Sequence, residues 1–168
     1  MSFTNEPLVT ENFITPAEQT ELLSWVNSLT MEPRNKLGKL TPGADGTGLR
    51  ENFKFSNELA LLGEIQSRIG VLYNLQGREP DNVVGKVARH HPNSRTLVHT
   101  DWDGHLSGYF RTNLLIQEAD EGGEFEFNGN VVPLPANALV AFGAAAQHGV
   151  RLVTSGIRIV IMFGWKDQ

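Results

Sequence analysis

Three side chains in the C-terminal half of the chain are spaced so that they could meet on one metal ion. His99-Thr100-Asp101 sets an imidazole and a carboxylate two residues apart. In an extended segment, residues i and i+2 project from the same face, so both can reach one point in space. A third ligand has to come from another strand, and His148, 47 residues beyond Asp101 in Gln147-His148-Gly149-Val150, is the candidate. Two imidazoles and one carboxylate on one side of a divalent metal leave the opposite positions open, a pattern suited to Fe(II). A lone His-x-Asp is common by chance, and a buried histidine can simply bond a neighbouring strand. Arg158, ten residues after His148, adds weight. It lies inside Ile157-Arg158-Ile159-Val160-Ile161-Met162-Phe163, where alternation groups it with Val160 and Met162 against Ile159, Ile161 and Phe163. A guanidinium in so apolar a strand is costly unless an anion pairs with it. That anion is either the far carboxylate of a dicarboxylic ligand chelated to the metal, or an internal acid such as Glu124 or Glu126.

Composition limits the other chemistries. None of the 168 residues is cysteine, which removes disulfides, thiolate zinc sites, iron–sulfur clusters and cysteine nucleophiles; a metal must be held by His, Asp or Glu. A hydrophobic fraction of 40% with 20% charged residues is that of a folded chain, and the length suits a single domain. The formal charge of −5 leaves no broad basic footprint for nucleic acid. No apolar run approaches the roughly 20 residues that cross a bilayer. The first residues, Met1 to Glu6, lack a basic stretch followed by an apolar one. The expectation is a cytoplasmic protein without a membrane partner.

The elements that must position these residues fall into two halves, a helical support over 1–80 and a β-rich core over 81–168. Thr15-Pro16-Ala17-Glu18 reads as a capping box with proline at the first helical position. Leu22, Val26 and Leu29 follow at helical spacing, widened by Leu23 and Trp25. A second helix is expected from near Ser56, carrying Leu59, Leu62, Ile65, Ile69 and Leu72 to the core. Between them, Lys36 to Gly48 is glycine-rich and aperiodic, a loop of the length that lids have. Strands are expected at Val83–Ala88, Arg111–Gln117, Glu124–Phe127, Val131–Leu134, Ala138–Phe142 and Ile157–Phe163, with a tight hairpin at Asn128-Gly129. The pattern predicts a mainly β protein with flanking helices, an antiparallel sandwich or jelly roll with the helices outside.

With these residues in place, the chain resembles the Fe(II)- and 2-oxoglutarate-dependent dioxygenases, and among them the prolyl-4-hydroxylase type. Val87-Ala88-Arg89-His90 lies where that family has a strand ending in Tyr before the His-x-Asp. Leu114 to Gln117 followed by Gly122-Gly123-Glu124-Phe125-Glu126-Phe127 resembles its central strand and Gly-Gly stretch. Ala138–Phe142 and Gly156-Ile157-Arg158 resemble the strands around its distal histidine and its cosubstrate arginine or lysine. The likeness runs from Val83 to Trp165. It implies a double-stranded β-helix (jelly roll) core, Fe(II) held by His99, Asp101 and His148, and the C5 carboxylate of 2-oxoglutarate on Arg158. His90 stands in place of the family's Tyr, and with Asn113 is a further candidate for cosubstrate contact. Two departures count: a phenol becomes an imidazole at His90, and the lysine of collagen-type members becomes Arg158. The implied reaction uses O2, with ascorbate as a candidate reductant. It hydroxylates an unactivated C–H of a peptidyl (prolyl-like) or small amino-acid-like substrate, releasing succinate and CO2.

Around these residues, Trp102, Asp103 and His105 are candidates for the pocket mouth, and Tyr109, Arg111 and Asn113 share one face of the next strand. Arg89 and Arg95 are candidates for an anionic substrate group or plain solvated arginines, and His91 reads as a loop histidine. The rival functions are a cupin-like metal- or ligand-binding jelly roll without redox turnover, which needs no Arg158, and a zinc hydrolase, for which no general base stands out. A nucleic-acid demethylase would carry a second arginine shortly after Arg158, and Ile159 to Trp165 contains none.

Overall fold

The computed structural model describes residues 6–33, 48–56, 58–78, 85–101 and 110–166. The Lys36–Gly48 loop up to residue 47, the mouth candidates Trp102, Asp103 and His105, and Tyr109 lie outside them. Among the described residues the architecture is mainly β, with two helices. In chain order these are β1 (Leu8–Thr10), α1 (Pro16–Ser28), β2 (Glu32–Pro33), β3 (Arg50–Lys54), α2 (Ala60–Leu72), β4 (Lys86–His90), β5 (Thr96–His99) and β6 (Phe110–Gln117). There follow β7 (Glu121–Gly122), β8 (Phe125–Phe127), β9 (Asn130–Val132), β10 (Leu139–Gly143), β11 (His148–Val150), β12 (Val153–Ser155) and β13 (Arg158–Trp165).

Two antiparallel sheets face each other, as in a jelly roll. The larger has seven strands in the order β1-β10-β6-β13-β4-β3-β2, the smaller four in the order β5-β11-β8-β9, and β12 pairs with β7 as a short ribbon. Period-2 alternation divides the large sheet into two faces. Ile159, Ile161 and Phe163 of β13, Leu114 and Ile116 of β6 and Leu139 of β10 pack with Leu22 and Val26 of α1 and Leu62, Ile65 and Ile69 of α2. Val160 and Met162, Leu115, Val140 and Phe142 face the other way and pack with Phe125 and Phe127 of the small sheet. The helices therefore cover one side of the large sheet, and the space between the sheets is left for the site.

The first helix begins as its residues dictate. The Glu18 amide donates to Thr15 Oγ1 at 3.2 Å and the Thr15 amide donates to a Glu18 carboxylate oxygen at 2.7 Å, so two orphan amides are satisfied reciprocally. Asn128 and Gly129 both have positive φ, 47° and 80°, the two-residue turn that joins β8 to β9. The second helix departs from expectation at both ends. It starts at Ala60 rather than near Ser56, because the Ser56 amide donates to the Glu58 carboxylate at 2.7 Å and Leu59 is extended. Leu72 is 48% exposed, not core. There the chain reverses through Asn74 at φ 54°, with the Asn74 amide donating to the Val71 carbonyl and the Leu75 amide to the Gly70 carbonyl. That is a Schellman cap, and it buries Leu75 where Leu72 was expected. The first predicted strand runs Lys86–His90, two residues beyond Ala88, since His90 still pairs with Arg158.

Candidate active site

The small sheet brings the two candidate histidines side by side. His99 ends β5 and His148 begins β11, and the two are directly opposite in the antiparallel register, the closest approach a sheet offers. Their rings lie 4.5 Å apart between centroids. Asp101 lies two residues after the end of β5, its amide donating to the Ala144 carbonyl at 2.9 Å, which turns its carboxylate back towards both rings. His99 Nε2 is 3.5 Å from Asp101 Oδ1 and His148 Nε2 is 3.4 Å from Oδ2. One ligand atom from each of the three side chains falls within 4.8 Å of the others.

Backbone carbonyls orient both rings. His99 Nδ1 is 2.8 Å from the Leu97 carbonyl and His148 Nδ1 is 3.0 Å from the Ala146 carbonyl. A carbonyl only accepts, so each Nδ1 donates to it and each Nε2 is left facing Asp101. This is the arrangement in which metal-ligating histidines are held. Burial is the chief influence on His148 and lowers its pKa to about 4, so the ring is neutral at physiological pH. For Asp101 burial pushes the pKa up, but the hydrogen bond from His99 and the Arg111 charge hold it well below the usual carboxylate range. The neutral His148 imidazole and the ionised Asp101 carboxylate are in the protonation states a divalent cation requires, and two imidazoles with one carboxylate are a donor set that fits an Fe(II) ion.

Arg111, on β6, donates to Asp101 Oδ2 and reaches Met162 Sδ at 3.1 Å with its other terminal nitrogen. Sequence alternation puts Arg111 on the pocket face; its pairing with Asp101 depends on how the chain returns from β5 to β6, which no local pattern encodes.

The candidate cosubstrate residues line a cavity between the two sheets, together with His99 and His148. Arg158 is 2% exposed and its Nη1 has no hydrogen-bond partner among the described residues. Burial, then the neighbouring Arg50 charge, lowers its pKa to about 10, so it is charged at neutral pH. No acid among the described residues pairs with it; Glu126 instead lies 3.8 Å from Arg151. A buried cation without a counter-ion is the signature of an anion site. Gly123, at φ 76°, makes room for it: a Cβ there would come 3.2 Å from Arg158 Cδ. His90 is 1% exposed, with Nε2 3.0 Å from Thr96 Oγ1 and Nδ1 without a partner among the described residues. Burial and the Arg50 and Arg158 charges hold its pKa well below the usual imidazole value. Asn113, 7% exposed, also faces the cavity with its Oδ1 unpartnered among the described residues. A larger recess of about 430 Å³ touches the other side of Arg158, but Glu11, Glu118 and Glu124 line it and it lacks the histidines. Its acids oppose an anion.

Two of the peripheral candidates are structural. Arg89 pairs with Glu51 at 3.2 Å and donates to the Val26 carbonyl at the end of α1, and His91 Nε2 lies 2.7 Å from the same Glu51.

The architecture is that of the prolyl hydroxylases and the wider group of 2-oxoglutarate, Fe(II) oxygenases. The viral collagen prolyl hydroxylase of Paramecium bursaria Chlorella virus-1, solved with 2-oxoglutarate, superposes with a TM-score of 0.68 over 95% of this chain and 94% of its own, at 15% identity. The prolyl hydroxylase of Trichoplax adhaerens, solved with a hypoxia-inducible-factor peptide, gives 0.73 over 98% and 84% at 14% identity. HygX from Streptomyces hygroscopicus, solved with nickel, 2-oxoglutarate and hygromycin B, gives 0.65 over 96% and 83% at 13% identity. No family model and no curated protein matches the chain.

Proposed function

We propose that this protein is an Fe(II)- and 2-oxoglutarate-dependent oxygenase that hydroxylates an unactivated C–H of a peptidyl (prolyl-like) or small amino-acid-like substrate. One observation carries the reading: two imidazole nitrogens and a carboxylate converge within 4.8 Å, beside a cavity lined by a buried guanidinium whose Nη1 has no partner among the described residues. A metal-binding jelly roll needs the first feature only. A 2-oxo diacid needs both, since one end chelates metal and the other carries a carboxylate.

In this reading His99, Asp101 and His148 hold the metal, and Arg111 keeps the Asp101 carboxylate ionised and fixed in rotation. Arg158 takes the distal carboxylate of the cosubstrate in a bidentate pair. Neutral His90 and Asn113 offer hydrogen bonds along its length. Phe125, Val160 and Met162 line the same cavity and exclude water from it. When bound, Fe(II) with 2-oxoglutarate and O2 supplies the oxidative chemistry that yields succinate, CO2 and a hydroxylated product, with ascorbate as candidate reductant. The chain supplies ligation, orientation and dryness. Structures of this fold hold a peptide in the Trichoplax enzyme and hygromycin B in HygX, and both substrate kinds are carried forward for this chain. We take residues 1–168 to act as one catalytic unit, in the cytoplasm; no described helix is long and apolar enough to cross a membrane.

Anaerobic addition of Fe(II) and 2-oxoglutarate to the apoprotein tests the proposal. A weak visible metal-to-ligand charge-transfer band is expected, lost in His99→Ala and requiring far more 2-oxoglutarate in Arg158→Ala. Metal binding without 2-oxoglutarate binding would replace the oxygenase reading with the cupin-like one.

A further inference from the structure

Arg50 opens β3, in the half of the chain that reads as helical support, yet strand register carries it to the anion end of the cavity. Arg50 stands opposite His90 across β3 and β4, and His90 stands opposite Arg158 across β4 and β13. Residues opposite one another on neighbouring strands share a face. With strands roughly 4.8 Å apart, the two arginine backbones are on the order of 10 Å apart, and two long side chains can meet over the residue between them. Both line the cavity that holds His90 and Asn113, and the Arg50 charge contributes to the lowered pKa of both Arg158 and His90. Arg158 Nη1 and His90 Nδ1, in side chains at most 2% exposed, lack hydrogen-bond partners among the described residues. An anion between two guanidinium groups on one narrow cavity would offset their mutual repulsion. A carboxylate has two oxygens and about four lone-pair sites, enough to accept from both.

We propose that Arg50 is a second anchor for the distal carboxylate of 2-oxoglutarate, which is clasped between guanidinium groups from β3 and β13 over the His90 ring. The inference rests on the cosubstrate reading above. It adds a residue from outside the region of family resemblance, and it makes the site more selective for 2-oxo diacids over 2-oxo monoacids than one arginine would.

Calorimetric titration of 2-oxoglutarate into Mn(II)-loaded protein separates the two claims, with wild type, Arg50→Met, Arg50→Gln and Arg158→Met compared. A parallel series uses 2-oxobutyrate, which keeps the chelating end and lacks the distal carboxylate. Losing a charge-assisted hydrogen bond should weaken 2-oxoglutarate about tenfold or more in both Arg50 variants, with 2-oxobutyrate unchanged. Unchanged 2-oxoglutarate affinity in either folded Arg50 variant, while Arg158→Met loses it, overturns the clasp and leaves the oxygenase reading standing. Equal weakening of both oxo acids makes Arg50 a structural residue and also overturns it. Absence of 2-oxoglutarate binding by the wild type overturns the oxygenase reading and the clasp together.

Discussion

The two faces of the large sheet are built from the same strands and treat burial in opposite ways. Under the helices every inward side chain of β13 is apolar, and Ile159, Ile161 and Phe163 are sealed with α1 and α2. One residue out of phase, the same strand sends Arg158 into the space between the sheets, where His90, Asn113 and His148 are buried beside it. The helix side is the larger apolar cluster and needs no ligand to be complete. The inter-sheet side keeps a cation and several polar atoms without partners among the described residues, a cost that a ligand would offset. Stability and chemistry are thus allotted to alternate residues of one strand.

The sharpest break in this comparison is at the metal end. Asp101→Ala should abolish stoichiometric metal binding, measured by metal analysis after gel filtration, since it removes the only anionic ligand of the three. On the opposite face, Phe163→Ala should cost about 3–5 kcal/mol of folding stability in denaturant titration, as large-to-small core substitutions do. Metal affinity should persist in whatever fraction stays folded. A loss of metal affinity in folded Phe163→Ala protein would mean that the two faces are not independent.

Arg158→Met should do the reverse of Phe163→Ala. Removing a buried charge that lacks a partner should stabilise the metal-free protein by roughly 1–3 kcal/mol in the same titration, while 2-oxoglutarate binding is lost. Destabilisation instead would show that Arg158 has a structural counter-ion. Acid sharpens the contrast by another route. His90 and His148 have folded pKa values below the ordinary 6.5, so the unfolded chain takes up protons first as pH falls. Their contribution to stability is complete above about pH 6.5 and falls as pH falls below it, that of His148 being lost towards pH 4. The melting temperature of metal-free protein should therefore drop between pH 7.5 and 5, and His90→Gln should reduce the drop. The smallest effect expected is at the far edge of the helix layer, where Thr15→Ala should cost about 1 kcal/mol through the lost cap and leave ligand binding untouched.

What the residue order encodes locally is legible in it. The Thr15 capping box, the Asn128-Gly129 turn and the two-faced alternation of β13 each rest on neighbours a few residues apart, and each forms as expected. The jelly-roll core was likewise legible as a run of short strands with the helices outside. The i, i+2 spacing made the meeting of His99 with Asp101 legible, although Asp101 lies in a bend beyond β5 held by the Ala144 carbonyl, whereas that of His148 needs the register between β5 and β11. Features set by long-range register were not legible. The Arg50, His90, Arg158 row crosses strands far apart in sequence, and Arg111 meets Asp101 across the two sheets. At α2 the helical periodicity of its leucines was read correctly but its ends were not, because a Ser56–Glu58 hydrogen bond and the Asn74 reversal override it. Arg89, open as a substrate or solvent residue in the sequence, and His91, read as a loop histidine, are drawn together by Glu51 on the neighbouring strand.

Strand β5 stands at the end of the four-stranded sheet, with β11 as its one partner there. His99 and Asp101 therefore hang from an element whose hydrogen bonds are the most prone to fray, while His148 belongs to the strand beside it. An ion shared by all three would act as a rivet through the sheet's last seam. Filling the site and closing that seam then become a single event: amide hydrogens of β5 should exchange quickly in the empty protein and slow sharply once the ion is in place, and whatever opens the seam would also release the ion.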